Sequence, residues 1–258
     1  MKTALILPDQ HYAPPGDKAG GVDPAAESVV LQAIKIVKPD IFVNLGDVIE
    51  ADSVSHYRYK KVKRPPLEYQ IAALEPELKA GNDGLDRFDK ALDKVGCNER
   101  HLTFGNHDGN WLNDFVTTHP YLADKYAPDA AFKTKARGYK TYEYGKMLRI
   151  GDVHYYHGGL YTGANLERDH ALRLGANVVI GHHHHLGMCA VSHIDGPHAC
   201  WCLGCICKLN KPFLQNRKTT WQHGFGICHY DSSGKFLMEM IHIFSGTAYV
   251  YGKRVTAK

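Results

Sequence analysis

The chain of 258 residues has no uninterrupted apolar run close to the ~18 residues that a membrane-spanning helix needs. Its first residues, MKTALILPDQHY, carry one lysine and an apolar stretch that is too short for the core of a secretory signal. Internal repeats, long linkers and low-complexity tracts are absent as well. From these absences we expect a soluble, cytoplasmic protein that is not associated with a membrane.

Strong charge of either sign is also missing. The net charge is +4 with histidine neutral, which permits anionic partners without requiring them. With 44% hydrophobic and 22% charged residues, the chain can bury a large core, as ordinary globular proteins do. We interpret residues 1–258 as a single domain, with a basic loop at about 54–66 and a β-rich C-terminal part from about 186. No obligate protein partner is evident.

The seven cysteines lack the even count and wide spacing of a disulfide framework, which would be unusual in a chain of this length. Five of them lie between Cys189 and Cys207. The spacing within CWCLGCICK is tighter than in common structural zinc sites, where the cysteine pairs lie well apart. Alternation along a strand would place Cys200 and Cys202 on one face. We expect reduced, buried core thiols, with a zinc site as the alternative.

Short apolar runs that end in polar residues recur along the chain and are typical of buried strands. The polar residues that follow them are Asp9 and His11, Asp47, the trio Asn106, His107 and Asp108, His157, and the run His182, His183, His184 and His185. Helical patterns lie between several runs and predict an α/β fold, in which ligands gather beyond the carboxyl ends of the strands. Five polar clusters at such ends predict one shared site.

The elements around these strands can be predicted in outline. Asp23 followed by Pro24 is a helix start. Apolar stripes predict further helices at 67–78, where Pro76 should kink or end the helix, and at 85–95. Beyond residue 224, the sequence predicts two strands around a Ser-Gly turn and then one last strand in TAYVYGKRV.

The residue types in the polar clusters indicate a metal centre. Imidazole nitrogens combined with carboxylate and amide oxygens suit Mn, Fe, Zn, Co or Ni. The candidates suffice for two ions if one carboxylate bridges them. Two neighbouring ions stabilise both the entering and the leaving oxygen of a phosphoryl displacement. The sequence therefore predicts two divalent metal ions and a phosphate ester as the substrate.

Five motifs, DQH, GDVIE, GNHD, YYHG and GHHHH, follow one another between residues 9 and 184. In this order they resemble the calcineurin-like metallophosphoesterase superfamily, which includes protein phosphatases, cyclic-nucleotide phosphodiesterases and nucleases. The segment GCICKLN…WQHGFG is similar to compact phage and prophage members. The resemblance implies a four-layer α-β-β-α sandwich, two divalent ions with Mn as the first choice, and a hydroxide that bridges the ions and attacks phosphorus.

The same resemblance implies a role for each residue. The implied metal ligands are Asp9, His11 and His184 for the first ion, Asn106, His157 and His182 for the second, and Asp47 as the bridge. His107 would be the general acid, with the carboxylate of Glu50 or Asp108 keeping it protonated. From the residues alone, 182/184 or 183/185 could face the ions. The motif selects 182/184 and leaves His183 to face the substrate, support the ligands or contact solvent.

The substrate is less well defined by the sequence. Ala51 stands where the phosphatase branch carries an arginine for the substrate phosphate, and His56 or Arg58 could replace that arginine only with a different spacing. The stretch HYRYKKVKR at 56–64 mixes tyrosines with cations, which suits nucleic acid, although a solvated loop fits equally well.

We therefore expect a metal-dependent phosphodiesterase or nuclease that acts on DNA, RNA or a nucleotide. One alternative is a phosphomonoesterase, either a nucleotide phosphatase or a protein phosphatase. The other is a non-catalytic, His-rich metal-binding protein, which would need neither His107 nor Glu50.

Overall fold

The computed structural model describes residues 1–16, 20–60, 62–211, 214–215 and 217–258. The strands within these ranges are β1 Lys2–Leu7, β2 Ile41–Asn44, β3 Glu99–Thr103, β4 Tyr139–Tyr142, β5 Leu148–Ile150, β6 Val153–Tyr155, β7 Asn177–Ile180, β8 Leu186–His193, β9 Gly196–Leu203, β10 His223–Tyr230, β11 Phe236–Ile243, β12 Thr247–Val250 and β13 Lys253–Thr256. The helices are α1 Pro24–Val37, α2 Leu67–Asp93, α3 Leu112–Thr118, α4 Ala123–Tyr126, α5 Pro128–Ala131 and α6 Leu166–Leu174. A π-helical turn covers Asn106–Trp111, and a 3-10 turn covers Pro120–Leu122.

Most strands belong to two sheets. The first sheet has the order β11-β10-β1-β2-β3-β4, in which β1 to β4 are parallel and β10 and β11 are antiparallel additions. The second has the order β5-β6-β7-β9-β8, with β6, β7 and β9 parallel. Parallel strands end at the same edge of a sheet, so the residues that follow them are brought together there.

The two sheets pack face to face. Ile6 and Val43 of the first sheet share a buried core with Val153 and Val179 of the second. A larger core fills the space between the first sheet and α1, α2 and α3, and a third core lies between the second sheet and α6. These layers form the four-layer α-β-β-α sandwich that the sequence predicted.

Helix α1 begins where the sequence predicted. The Asp23 carboxylate accepts hydrogen bonds of 2.9 Å from two backbone amides of the first turn, which satisfies donors that have no partner within the helix. Val30, Ile34 and Val37 lie on one buried face against the first sheet.

Helix α2 runs without interruption through Pro76, so the two separate helices predicted for this region are one. A proline inside a helix costs about 3 kcal/mol. Leu74, Leu85 and Phe88 are buried against the first sheet, and burial of such side chains is worth about 1.5–3 kcal/mol each, enough to outweigh that cost. Within the described ranges, no helix is both long and apolar enough to cross a membrane.

A glycine on α2 brings the helix close to the segment that follows β1. A Cβ atom at Gly84 would lie 2.2 Å from the ring of Tyr12, which is itself buried. Tyr12 directly follows His11, so the packing of α2 fixes the position of a predicted metal ligand.

The C-terminal part is β-rich, as predicted. Strands β10 and β11 form the expected hairpin. The final segment forms two strands, β12 and β13, so the prediction of one last strand was wrong. Tyr251 and Gly252 form the two-residue turn that joins β12 to β13. Both adopt a positive φ, which lets the chain reverse within two residues.

All seven cysteines are free, and six of them are buried. Cys200 and Cys202 both lie in the core beneath α6, which is the shared face that strand alternation predicted. These features agree with the expected buried thiols.

Candidate metal centre and substrate cavity

The predicted metal ligands all lie beyond the carboxyl ends of strands. Asp9 and His11 follow β1, Asp47 follows β2 and Asn106 follows β3 in the first sheet, while His157 follows β6 and His182 and His184 follow β7 in the second. Because the two sheets pack face to face, these edges meet, and the structure brings all seven side chains together in two adjoining groups.

The first group contains two histidines and two carboxylates. The Nε2 atoms of His11 and His184 are 3.1 Å apart, and Nε2 of His184 lies 3.3 Å from Oδ1 of Asp9. Nε2 of His11 lies 3.6 Å from Oδ2 of Asp47. These four residues are 5% exposed or less.

The second group forms around His157. Its Nε2 atom lies 3.1 Å from Oδ1 of Asn106 and 3.1 Å from Nδ1 of His182. The same nitrogen is 3.3 Å from Oδ2 of Asp47. Oδ2 of Asp47 therefore belongs to both groups, which is the bridging position that the sequence resemblance implied.

The donor atoms of both groups fit divalent metal ions. Metal–ligand bonds of about 2.0–2.2 Å place neighbouring ligand atoms about 3–3.6 Å apart, which is the spacing in both groups. Nδ1 of His157 donates a hydrogen bond of 2.8 Å to the carbonyl oxygen of Leu45, so Nε2 is the nitrogen whose lone pair a metal ion would use once it has displaced the proton there. That lone pair converges with the oxygens of Asn106 and Asp47, and such a cluster of acceptors needs a cation. A carbonyl partner behind the ring is also usual for metal-ligating histidine.

The pKa values of the histidines in the two donor groups also indicate a place for bound cations. Burial disfavours charge on His157, yet the Asp47 carboxylate raises its pKa to about 9. Burial also opposes charge on His184, but Cys207 and Asp9 raise its pKa to about 10. Burial, followed by the neighbouring His157, lowers the pKa of His182 to about 3, which keeps its lone pair available. The buried carboxylates thus attract positive charge, and bound metal ions would supply it.

Glycines of the motifs make room for the carboxylates. A Cβ atom at Gly105 would lie 2.1 Å from Oδ1 of Asp47, and a Cβ atom at Gly181 would lie 2.2 Å from Oδ2 of Asp9. Neither glycine has a positive φ. The reason for glycine in GNHD and GHHHH is therefore the space that the carboxylates occupy.

The histidine run is not extended. His182 and His184 both adopt positive φ, with values of 65° and 60°. Their side chains nevertheless face the two donor groups together, as the motif register predicted. The backbone amide of His182 donates hydrogen bonds of 3.0 and 2.9 Å to the two carboxylate oxygens of Asp9. This contact holds the loop in its uncommon conformation.

His107 lies beside His11, with ring centroids 4.7 Å apart, and is not one of the predicted metal donors. Its backbone amide donates a hydrogen bond of 2.9 Å to Oδ1 of Asp47, and its Nε2 atom is 3.8 Å from Oδ2 of the same residue. Its Nδ1 atom donates to the backbone carbonyl of Glu50. The main chain of Glu50 therefore orients the ring, whereas the Glu50 carboxylate, which has an oxygen within 4.8 Å of a ring nitrogen of His107, favours the protonated ring through its charge alone. Burial lowers the pKa of His107 to about 4.

The carboxylate of Glu50 contacts other residues. It forms a buried ion pair with Lys211, and its second oxygen lies 3.5 Å from Nδ1 of His11. A carboxylate behind a metal-ligating histidine orients the ring and raises its basicity. Lys211 was missed by the sequence reasoning, because nothing in its local sequence indicates a partner 161 positions away.

Asp108 also differs from its predicted role. Its carboxylate accepts hydrogen bonds of 2.7 Å from the amide of Val48 and 2.6 Å from the amide of Gly105. It is fully buried, and this burial raises its pKa to about 6. Asp108 fixes the loops that carry Asp47 and Asn106, and the structure does not bring its carboxylate to His107.

A cavity of about 1050 Å³ opens beside the second group. It is lined by Asn106, His107 and His182 from the centre, by the rings of Tyr57, Trp111 and Tyr144, and by cationic or polar side chains that include His56, Arg58, Lys60 and Asn110. The ring of Trp111 lies against His107, with centroids 3.9 Å apart, and near Tyr57 at 6.1 Å. Trp111 and Tyr144 were missed by the sequence reasoning, although Trp111 stands in GNHDGNW directly after a motif.

The basic loop borders this cavity with its first half. Lys60 and Arg58 line the cavity, whereas Lys63 and Arg64 are not among its described lining residues. Lys61 falls outside the described residues. Arg58 is 56% exposed and pairs loosely with Asp52 at 3.7 Å, so it remains accessible to an anion.

Ala51 and His183 lie away from the cavity lining that the structure describes. Ala51 is buried and has a φ of 49°. The ring of His183 lies 6.3 Å from that of His170 on α6. Of the predicted substrate contacts, His56 and Arg58 line the cavity. The ring of His183 faces α6 instead.

Comparison with known proteins agrees with this site. Residues 4–214 match the family model described as calcineurin-like phosphoesterase. No curated protein sequence matches significantly. Similar solved structures include Vps29 from Chaetomium thermophilum, at 9% identity with 100% of this chain and 99% of the other covered and a TM-score of 0.47. They also include Yfce, a phosphoesterase from E. coli, at 13% identity with 99% and 100% covered and a TM-score of 0.43.

The family match covers most of the chain and includes all seven residues of the two donor groups. The order of the motifs, the four-layer fold and the paired donor groups are all expected of such a protein. The chain therefore belongs to the calcineurin-like phosphoesterases, a family of metal-dependent hydrolases.

Proposed function

We propose that this protein is a phosphodiesterase that uses two divalent ions, with Mn as the first choice, to hydrolyse a nucleic acid or a nucleotide. The observation that carries the proposal is the composition of the cavity. Its wall joins donors of the metal centre to three aromatic rings and to the cations Arg58 and Lys60. Aromatic rings stack on bases and cations follow the phosphate backbone, a combination suited to polynucleotides.

The proposed chemistry assigns specific work to the side chains. When bound, the two ions would act as Lewis acids and activate water at neutral pH. Asp47 would hold the ions at a fixed spacing, because Oδ2 adjoins both donor groups. Asn106, with its oxygen among the donors, would direct its amide NH2 group toward a substrate oxygen. His107, anchored through Nδ1, would present Nε2 to protonate the leaving oxygen, after the anionic substrate has raised the lowered pKa of the ring and Nε2 has taken up a proton.

The preference for a diester rests on charge. Ala51 is buried and offers no cation at the position where phosphatases clamp a terminal phosphate. A diester phosphate carries one negative charge where a monoester carries two near neutral pH, so it depends less on that clamp. The three rings add contacts that a small monoester would leave unused.

The test is turnover by the Mn-loaded protein of bis-p-nitrophenyl phosphate and of p-nitrophenyl phosphate, with Asp47→Ala as the inactive control. A higher kcat/KM for the diester supports the proposal. Faster turnover of the monoester would favour a phosphomonoesterase. Two bound ions with no turnover of either substrate would favour the non-catalytic metal-binding protein.

A further inference from the structure

A second cluster of ligand-type side chains lies outside the two donor groups. A carboxylate oxygen of Glu167, a ring nitrogen of His185 and Sγ of Cys202 all lie within 4.8 Å of one another. Oε1 of Glu167 and Nε2 of His185 are 2.5 Å apart, a direct hydrogen bond that a bound ion would have to replace. The three residues come from α6, the histidine run and β9, which are otherwise distant in sequence.

This cluster occupies a different side of the histidine loop. His182 and His184 face the two donor groups, while His183 and His185 are directed toward α6, where the third core lies. Cys202 is fully buried in that core. The cluster therefore shares the loop with the metal centre but not the donor atoms.

Two buried imidazole nitrogens next to the cluster have no hydrogen-bond partner. They are Nε2 of His170, whose side chain is fully buried, and Nε2 of His183. The ring of His183 lies 6.3 Å from that of His170 and 6.3 Å from that of His185. Buried polar atoms in folded proteins are normally satisfied, and exceptions often mark a missing water or ion.

The backbone has left space for the carboxylate of this cluster. A Cβ atom at Gly187 would lie 2.1 Å from Oε1 of Glu167 and 3.2 Å from the ring of His185. The φ of Gly187 is not positive, so backbone conformation does not require glycine there. Space for the carboxylate beside the imidazole is the evident reason for this glycine.

We propose that Glu167, His185 and Cys202 form a third metal site, which is selective for Zn²⁺. One oxygen, one nitrogen and one sulfur suit zinc or its substitute cobalt, whereas manganese disfavours thiolate. Binding converts the Cys202 thiol to a thiolate and releases its proton. The fourth position is filled by water or by His183. The sequence predicted buried core thiols with a zinc site as the alternative, and the cysteine spacing alone could not show the side chain that α6 contributes.

Such an ion would support the catalytic centre from behind. It would connect α6, β9 and the loop that carries His182 and His184 in their left-handed conformation. The site is thus structural, and its occupancy is measurable without turnover. The alternative is a simple ion pair between His185 and Glu167 beside a protonated thiol, which would bind no metal.

The test is cobalt substitution of the full-length protein after metal removal. We expect a thiolate-to-cobalt charge-transfer absorption in the near ultraviolet and three equivalents of metal per chain. Cys202→Ser should abolish the absorption and leave two equivalents. Cys207→Ser is the matched control, because Sγ of Cys207 lies 3.9 Å from Nδ1 of His184 at the catalytic centre, and this variant should keep the absorption.

A second variant distinguishes loss of the metal site from misfolding of the chain. Gly187→Ala keeps all three ligands but displaces Glu167, and we expect it to weaken cobalt binding at this site at least tenfold while the circular dichroism spectrum is preserved. Absence of the absorption in the cobalt-loaded wild type would overturn the proposal. So would an absorption that disappears in Cys207→Ser and persists in Cys202→Ser, because the thiolate would then belong to the catalytic centre.

Discussion

The ring of His107 is anchored by the main chain of Glu50, because Nδ1 of His107 donates to the carbonyl oxygen, while the Glu50 carboxylate pairs with Lys211. Glu50 thus contributes to the site through both its backbone and its side chain. Its backbone fixes the proposed general acid, and its side chain lies behind the metal ligand His11. Substitution of the side chain should separate these effects.

We expect Glu50→Gln to weaken Mn²⁺ binding about 10-fold, since partners behind metal-ligating histidines typically contribute 10–100-fold. The variant should also lose about 3 kcal/mol of unfolding free energy, because Lys211 is left buried without its partner. Metal titration and urea denaturation measure the two losses. In Glu50→Gln/Lys211→Met, stability should return while metal affinity stays low. Recovery of both would assign the carboxylate a role in packing alone.

His107→Ala should retain two bound ions and lose turnover by about 10²-fold, the usual scale for a positioned acid. The loss should be smaller for a p-nitrophenyl leaving group than for an alkyl one, because a good leaving group needs less protonation. Steady-state kinetics with a series of diesters measures this dependence. Equal losses across the series would contradict the general-acid role.

Asp47→Ala should remove the donor that both groups share. We expect metal content to fall from two ions to one or none, and turnover to become undetectable. Elemental analysis after dialysis against Mn²⁺ provides the measurement. Asp83→Asn, an exposed position on α2 that is paired with Lys79, is the control and should keep both ions. Full occupancy in Asp47→Ala would exclude a bridging carboxylate.

The basic loop should contribute to polynucleotide binding. Replacing Lys60, Lys63 and Arg64 with serine should raise KM for DNA or RNA and flatten the salt dependence, because fewer counterions are released on binding. Cleavage of bis-p-nitrophenyl phosphate should change little, since that substrate needs only the metal centre and His107. Fluorescence anisotropy over a range of salt concentrations gives the slope.

The matched control for the loop variant replaces Lys38, Lys90 and Lys94, which are exposed at the ends of α1 and α2 away from the carboxyl edge of the sheets. It removes the same charge and should leave both KM and slope unchanged. If the loop variant loses cleavage of the small diester as well, the loop serves the fold and not the substrate.

The parts of the site that were predictable from sequence are local ones. Asp9, Asp47 and Asn106 directly follow apolar runs, and a residue after a parallel strand has little freedom to be anywhere but the edge of the sheet. The start of α1 at Pro24 was predictable for the same reason, since Asp23 acts within one turn.

The parts that were missed depend on contacts between distant segments. Pro76 lies inside α2 because burial of the helix outweighs a local preference, and no local pattern reports that balance. Lys211 pairs with Glu50 across 161 positions. The cluster at Cys202 depends on Glu167 of α6, whose position follows from the packing of the second sheet.

The seven donors of the catalytic centre come from residues 9 to 184 and from both sheets. A nascent chain that has made only the parallel strands β1 to β4 would hold Asp9, His11, Asp47 and Asn106 but none of the three histidines that follow β6 and β7. Tight capture of ions must therefore come late in folding, after the sheets have docked. Only a chain in which both sheets have docked would then bind its metal ions, and partly folded chains would stay inactive.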